Sequence, residues 1–166
     1  NNKKIIIIFS SMGKLEGKYP KFELLKTFSN DNYKEYDIFS VRDLTHRWYL
    51  LNFNHILNTL KRVLNDYDDA IFIGISAGGF AALLYGNLLN IRNIIAFSPQ
   101  INMSKKFLEK YDNRFNRYMS YFYNDIDLKY LDISKHINKL TNNIIVYDKQ
   151  NKIDRAHVNY IENTNK

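Results

Sequence analysis

The chain has 166 residues, 45% of them hydrophobic and 15% aromatic, enough to fold as a single domain over residues 1–166 with a sizeable core. It has no cysteine, which excludes a cysteine nucleophile, a thiolate metal site and a disulfide framework. The net charge of +7 permits anionic partners, but Lys and Arg are scattered in a chain rich in Asn, Ile, Lys and Tyr. That pattern marks compositional drift, and no nucleic-acid partner is expected.

Lys3-Lys4 followed by Ile5-Ile6-Ile7-Ile8-Phe9 superficially resembles a signal peptide. The apolar run is too short and lacks a small-residue cleavage site, so it reads as a buried first strand over 4–10. Further strands are predicted over 36–41, 70–75, 93–97 and 143–147. Helical patterns fit 21–28, 48–64, 79–89, 105–123, 133–140 and 155–162. In the second of these, Leu50, Phe53, Leu57, Leu60 and Leu64 fall near helical spacing. No segment is long and apolar enough to span a membrane. With no signal peptide, the expected compartment is the cytoplasm.

Apolar strands alternating with helices predict an α/β fold: a doubly wound, five-stranded parallel sheet with helices on both faces. The expected strand order is 2-1-3-4-5, with the site at the carboxyl ends of the strands. The long interval between the last two strands, 99–142, is expected to form a helical cap.

The most specific motif is Gly74-Ile75-Ser76-Ala77-Gly78. It follows the strand Ala70-Ile71-Phe72-Ile73 and leads into the helical run Phe80-Ala81-Ala82-Leu83-Leu84-Tyr85. Strand, G-x-S-x-G and helix together are the context of a nucleophile elbow. A serine there is pushed into a cleft, and the flanking glycines leave room for the neighbouring strand and helix. The N–H groups that open the helix then point at a developing oxyanion.

A serine nucleophile needs a base and a group to orient it. Past the last strand come Tyr147-Asp148, a polar loop, and Asp154-Arg155-Ala156-His157. The resulting order is Ser, Asp, His. On these motifs the chain resembles the α/β-hydrolase superfamily, in truncated form. Gly74 to Tyr85 and Phe97-Ser98-Pro99-Gln100 resemble, more loosely, hydrolase-like proteins associated with bacterial surface polysaccharides. The resemblance implies Ser76 as nucleophile and Asp154 as orienting acid, with Asp148 competing for that role. It implies oxyanion donors at the Ala77 N–H and at the loop after the first strand, from Ser11 or Met12. An α/β-hydrolase carries its histidine after one further strand, which this chain lacks. Either that histidine lies beyond Lys166, or His157 serves as base. Asp154 and His157 match the D-x-x-H spacing of SGNH-type hydrolases, and Asp154 fits a helix N-cap with His157 three residues on.

Among the four histidines, His46 lies in Val41-Arg42-Asp43-Leu44-Thr45-His46-Arg47-Trp48-Tyr49, after the second strand. This segment is a candidate substrate surface: Arg42 or Arg47 to hold a carboxylate, Trp48 or Tyr49 to stack on a sugar. Its alternative is a loop entering a helix, with Trp48 and Tyr49 in the core. His55 and His136 lie in helical patterns. No spacing suggests a metal, and no cofactor is expected. Tyr111, Phe115, Tyr118 and Phe122 share one helical face, either core packing or a lid. Met12-Gly13-Lys14 lacks the rest of a P-loop.

The expected activity is that of a serine esterase or deacylase acting on an acylated glycan or small ester. The same residues serve an acyltransferase in which a sugar hydroxyl replaces water. A non-catalytic hydrolase-like scaffold is the alternative from another class. The sequence leaves the oligomeric state open.

Overall fold

The computed structural model describes residues 3–13, 21–28 and 30–164, and side chains for these except 116–119, 163 and 164. Five strands form one sheet: β1 (Lys4–Phe9), β2 (Tyr36–Val41), β3 (Asp69–Ile75), β4 (Asn93–Phe97) and β5 (Asn142–Val146). Their order is β2-β1-β3-β4-β5, every pair is parallel, and the fold is α/β. Strand β1 is buried from Ile5 to Phe9, as expected for a central parallel strand covered on two faces.

Alternation along the strands separates two cores. Ile5, Ile7, Phe9 and Phe72 face the larger one, with α2 (Phe53–Leu64) and α3 (Ala77–Leu88). Helix α3 is buried from Ala77 to Asn87, so its sequence is apolar all round rather than striped. Ile6, Ile8 and Ile73 face a smaller core, closed by Leu24, Phe28 and Tyr33 around α1 (Leu25–Phe28). Near β5 this second face is open: Ile144 and Val146 are 42% and 46% exposed.

Strand positions agree with the sequence reading to within a residue, whereas the helix expected over 21–28 forms only over Leu25–Phe28, and four further helices differ, each for a local polar reason. The expected helix over 48–64 begins only at Phe53. The Asp43 carboxylate accepts the N–H groups of Thr45, Arg47 and Tyr49 and the Thr45 hydroxyl, holding a loop with positive φ at His46, Trp48 and Tyr49. The helix over 105–123 breaks into α4 (Lys105–Tyr111), a 3-10 segment (Asn113–Tyr118) and α5 (Met119–Phe122). The break falls at Asp112, whose carboxylate turns inward to Arg114 and His157. Over 133–140 only one 3-10 turn forms, Ile133–His136, capped by Asp132. The last helix, α6 (Lys152–Thr164), starts earlier than expected because Asn151, not Asp154, caps it: the Asn151 Oδ1 accepts the N–H groups of Ile153 and Asp154. Lys14 of the P-loop-like motif lies outside the described residues.

Candidate active site

Ser76 joins β3 to α3 with φ 54° and ψ −116°, a conformation that costs a non-glycine residue about 1–3 kcal/mol. Its surroundings hold it there. The Ser76 N–H donates to the Phe97 carbonyl at 2.8 Å, and its own carbonyl accepts the Phe80 N–H at 2.9 Å. A Cβ on Gly74 would lie 2.0 Å from the Gly78 carbonyl oxygen, and one on Gly78 would lie 2.0 Å from that of Phe9. Both glycines of the motif are therefore demanded by backbone approaching backbone. The first turn of α3 presses on the end of β1, and its amino terminus opens directly behind Ser76, with Ala77 as first helical residue.

Sequence reasoning missed Gln100 as a site residue. Its Nε2 lies 3.2 Å and its Oε1 3.4 Å from the Ser76 Oγ, and Oε1 also accepts the Trp48 indole N–H at 2.9 Å. The Trp48 bond fixes the Oε1 end, so the amide lies across Ser76 with both its donor and its acceptor in reach of the hydroxyl. The available signal was position: Ser98-Pro99-Gln100 follows β4 at the same sheet edge as the elbow.

Of the two readings of the segment after β2, Trp48 and Tyr49 take the one in which they pack in the core. Trp48 is fully buried, with Phe115 and Phe122 edge-on to its ring at 4.8 and 5.1 Å. Tyr49 is buried as well; its hydroxyl donates to the carbonyl oxygens of Ser10 and Val41, and burial, reinforced by nearby Asp43, pushes its pKa up. Neither ring offers a face for a sugar, so both act as supports of the site. Arg42 lies over the Phe22 ring at 3.9 Å, beside a cleft of about 330 Å³ between β2 and α2 that Leu44 and His55 also line.

Of the expected oxyanion donors in the first loop, Met12 packs against the main core. Ser11 gives both its N–H and its hydroxyl to Glu23, each at 2.6 Å.

His157 and Asp154 are not brought together with Ser76. The His157 ring is fully buried, and its Nδ1 accepts the Ile101 N–H at 3.0 Å. That contact makes Nε2 the protonated nitrogen, and Nε2 lies 3.2 Å from the Asp112 Oδ2. Both ring nitrogens are thus engaged away from Ser76, and Asp112 rather than Asp154 orients the imidazole. Asp154 is buried in α6 and acts electrostatically on Arg114. Burial would raise the Asp112 pKa, but hydrogen bonds from Arg114 and His157 outweigh it and hold the carboxyl down at about 2. Asp148 is exposed and accepts the Gln150 N–H in a turn.

The His46 Nδ1 is buried with no hydrogen-bond partner among the described residues, and the His136 Nε2 lies 3.0 Å from the Lys129 carbonyl oxygen. The aromatic stripe is split by the break at Asp112: Tyr111 is 44% exposed while Phe122 is fully buried, and the Tyr118 side chain lies outside the described residues. Among the described residues no cluster of His, Asp and Glu suits a metal ion, and no helix is long and apolar enough to cross a membrane.

Comparison with known proteins agrees with this architecture. The capsule O-acetyltransferase of Neisseria meningitidis serogroup A superposes with a TM-score of 0.69 at 25% identity, over 98% of this chain and 73% of that one. A second structure of that enzyme gives 0.69 at 22% identity, over 97% and 73%. A histidine-to-alanine mutant of it in complex with CoA gives 0.67 at 20% identity, over 98% and 74%. No curated protein sequence matches the chain. The model of the uncharacterised protein family UPF0227 matches residues 32–161. The chain belongs to that family, and its fold is that of an α/β-hydrolase.

Proposed function

We propose that this protein transfers acyl groups at sugar hydroxyls through an acyl-enzyme on Ser76. The observation that carries the reading is the elbow itself: a strained serine between two obligatory glycines, at the amino terminus of a buried helix. The likeness to a capsule O-acetyltransferase over nearly the whole chain supports a glycan as acceptor or donor.

In this reading the Ser76 Oγ attacks the donor carbonyl carbon as its proton passes to a base. The carbonyl π electrons move onto oxygen, and the oxyanion rests on the Ala77 N–H and the Ser11 N–H. Collapse expels the leaving group, which takes up a proton. A sugar hydroxyl then attacks the acyl-enzyme to give transfer, or water attacks to give hydrolysis. The Gln100 amide, with its Nε2 at 3.2 Å and its Oε1 at 3.4 Å, holds the Oγ in place until the base takes the serine proton. His157 would have to release Ile101 to be that base, so its part is to fix the Gln100–Asn102 segment beside Ser76. Residues 99–142 act as the cap, delivering Gln100 to Ser76 and Phe115 and Phe122 to Trp48.

A fluorophosphonate probe tests the nucleophile: the folded chain should be labelled and Ser76→Ala should not. Equal labelling of both, or of neither, overturns the reading. Incubation with an acetyl donor, with and without an acceptor glycan, separates transfer to sugar from hydrolysis.

A further inference from the structure

We propose that Glu23 is an internal occupant of the oxyanion site, holding the Ser11 N–H in the resting protein and leaving when an acyl group is attacked at Ser76. The inference rests on the acyl-transfer reading of Ser76.

Phe9, the last residue of β1, pairs with Gly74 of β3, so Ser11 and Ser76 each stand two residues past that pair at the same edge of the sheet. Neighbouring parallel strands lie about 4.8 Å apart. Successive N–H groups of an extended strand point to opposite sides. The Ser10 N–H reaches Val41 of β2 at 3.0 Å, so an extended continuation of β1 turns the Ser11 N–H toward the β3 side, at the sheet edge that holds Ser76. The first turn of α3 confirms how close these backbones are, because a Cβ on Gly78 would touch the Phe9 and Ser10 carbonyl oxygens.

The group found on that N–H is a carboxylate. The Glu23 Oε2 accepts the Ser11 N–H and its Oε1 accepts the Ser11 hydroxyl, both at 2.6 Å. A carboxylate oxygen resembles the oxygen of a tetrahedral intermediate in charge and in its preference for N–H donors. The chain thus supplies the ligand that this donor would meet in the reaction. Glu23 is only half-buried and sits on a short segment, next to Leu24 with φ 59°, whose preceding Phe22 leans on Arg42 at 3.9 Å. Swinging the carboxylate into water disturbs neither core. Until it leaves, a second negative oxygen is excluded from the Ser11 N–H by charge and by space.

The experiment uses the full chain, isotopically labelled, with a fluorophosphonate as probe. The Ser11 amide resonance should move on Glu23→Gln, and should move again when the probe is attached to Ser76. Labelling should be about tenfold faster for Glu23→Ala, the effect of removing one charge-assisted hydrogen bond, and roughly threefold faster for Glu23→Gln, which keeps the shape and loses the charge. Glu23→Gln carries the test should Glu23→Ala fail to fold. Labelling at or below the wild-type rate in the folded variants overturns the proposal and makes Glu23 a brace of the loop. Labelling of neither wild type nor variant overturns the Ser76 reading and the displacement with it. That outcome is recognisable because the Ser11 amide still responds to Glu23→Gln.

Discussion

Trp48 donates its indole N–H to the Gln100 side-chain carbonyl at 2.9 Å, and thereby orients an amide whose two ends both reach the Ser76 Oγ. Both side chains are buried, so neither end of this chain of contacts has water as a substitute partner. Trp48→Phe keeps most of the ring volume but leaves the Gln100 oxygen unpaired, at a cost of about 1–3 kcal/mol. The Gln100 amide then gains freedom to flip. The expected result is a lower Tm and slower fluorophosphonate labelling of Ser76, with Gln100→Ala slower still, by roughly tenfold. Labelling at the wild-type rate by folded Gln100→Ala would remove Gln100 from the site.

Gly78→Ala tests the elbow as a packing device, independently of chemistry. The added methyl would lie 2.0 Å from the Phe9 carbonyl oxygen, and backbone is the part of a core least able to give way. Destabilisation should exceed about 3 kcal/mol, in the range reserved for overpacking and strained backbone. Denaturant unfolding of the variant against wild type measures it. A loss under 1 kcal/mol, an ordinary surface-substitution value, would mean that α3 and β1 stand further apart than described.

The strands were legible in the sequence because burial on two faces writes a continuous apolar run, such as Ile5 to Phe9, that no polar group interrupts. The elbow was legible because close backbone approach demands glycine at Gly74 and Gly78. What stayed hidden is what side-chain hydrogen bonds decide. Nothing local distinguishes Asp43 from any loop aspartate, yet its carboxylate delays α2 to Phe53. Asp154 matched a D-x-x-H spacing, but spacing along a helix cannot reveal that Asp112, 45 residues away from His157, reaches the imidazole first. Gln100 and Glu23 carry no motif, and only strand order places them beside Ser76 and Ser11.

Asp43→Ala removes the acceptor shared by the Thr45, Arg47 and Tyr49 N–H groups. The positive φ values at His46, Trp48 and Tyr49 then lose their support. A stability loss of about 2–4 kcal/mol is expected, together with slower Ser76 labelling, because Trp48 moves with this loop. Asp43→Asn should recover part of the loss, since its amide oxygen still accepts one or two of those bonds. Equal loss for both variants would show that charge, not acceptor geometry, orders the loop.

Asp112 gives the fold a defined acid limit. Its folded pKa of about 2 lies below the ordinary 3.8, so its stabilisation is present above pH 3.8 and is lost as pH falls toward 2. The shift corresponds to roughly 2 kcal/mol. Wild type should lose stability steeply between pH 4 and 2, whereas Asp112→Asn should be less stable at neutral pH and flatter across that window. Unfolding free energies measured from pH 2 to 5 provide the check. Parallel curves for the two chains would mean that Arg114 and His157 do not hold the carboxylate in its charged form.

His157 separates a positioning role from a base role. As described, it anchors the segment after β4 by accepting the Ile101 N–H and stands against Asp112. Losing it leaves a buried N–H and a buried carboxylate each short of a partner, at about 2–4 kcal/mol. A base at Ser76, by contrast, would be worth about 10²–10⁴ in rate. His157→Asn, whose side-chain oxygen and amide mimic the acceptor and donor of the ring, should restore much of the Tm lost in His157→Ala. Ser76 labelling in folded His157→Asn should then fall by less than about tenfold, and its pH profile should keep the wild-type midpoint. A fall of a hundredfold or more with Tm restored would return the base role to His157. It would also require α6 and the Ile101 backbone to part during turnover, so that the imidazole exchanges a backbone N–H for the serine hydroxyl.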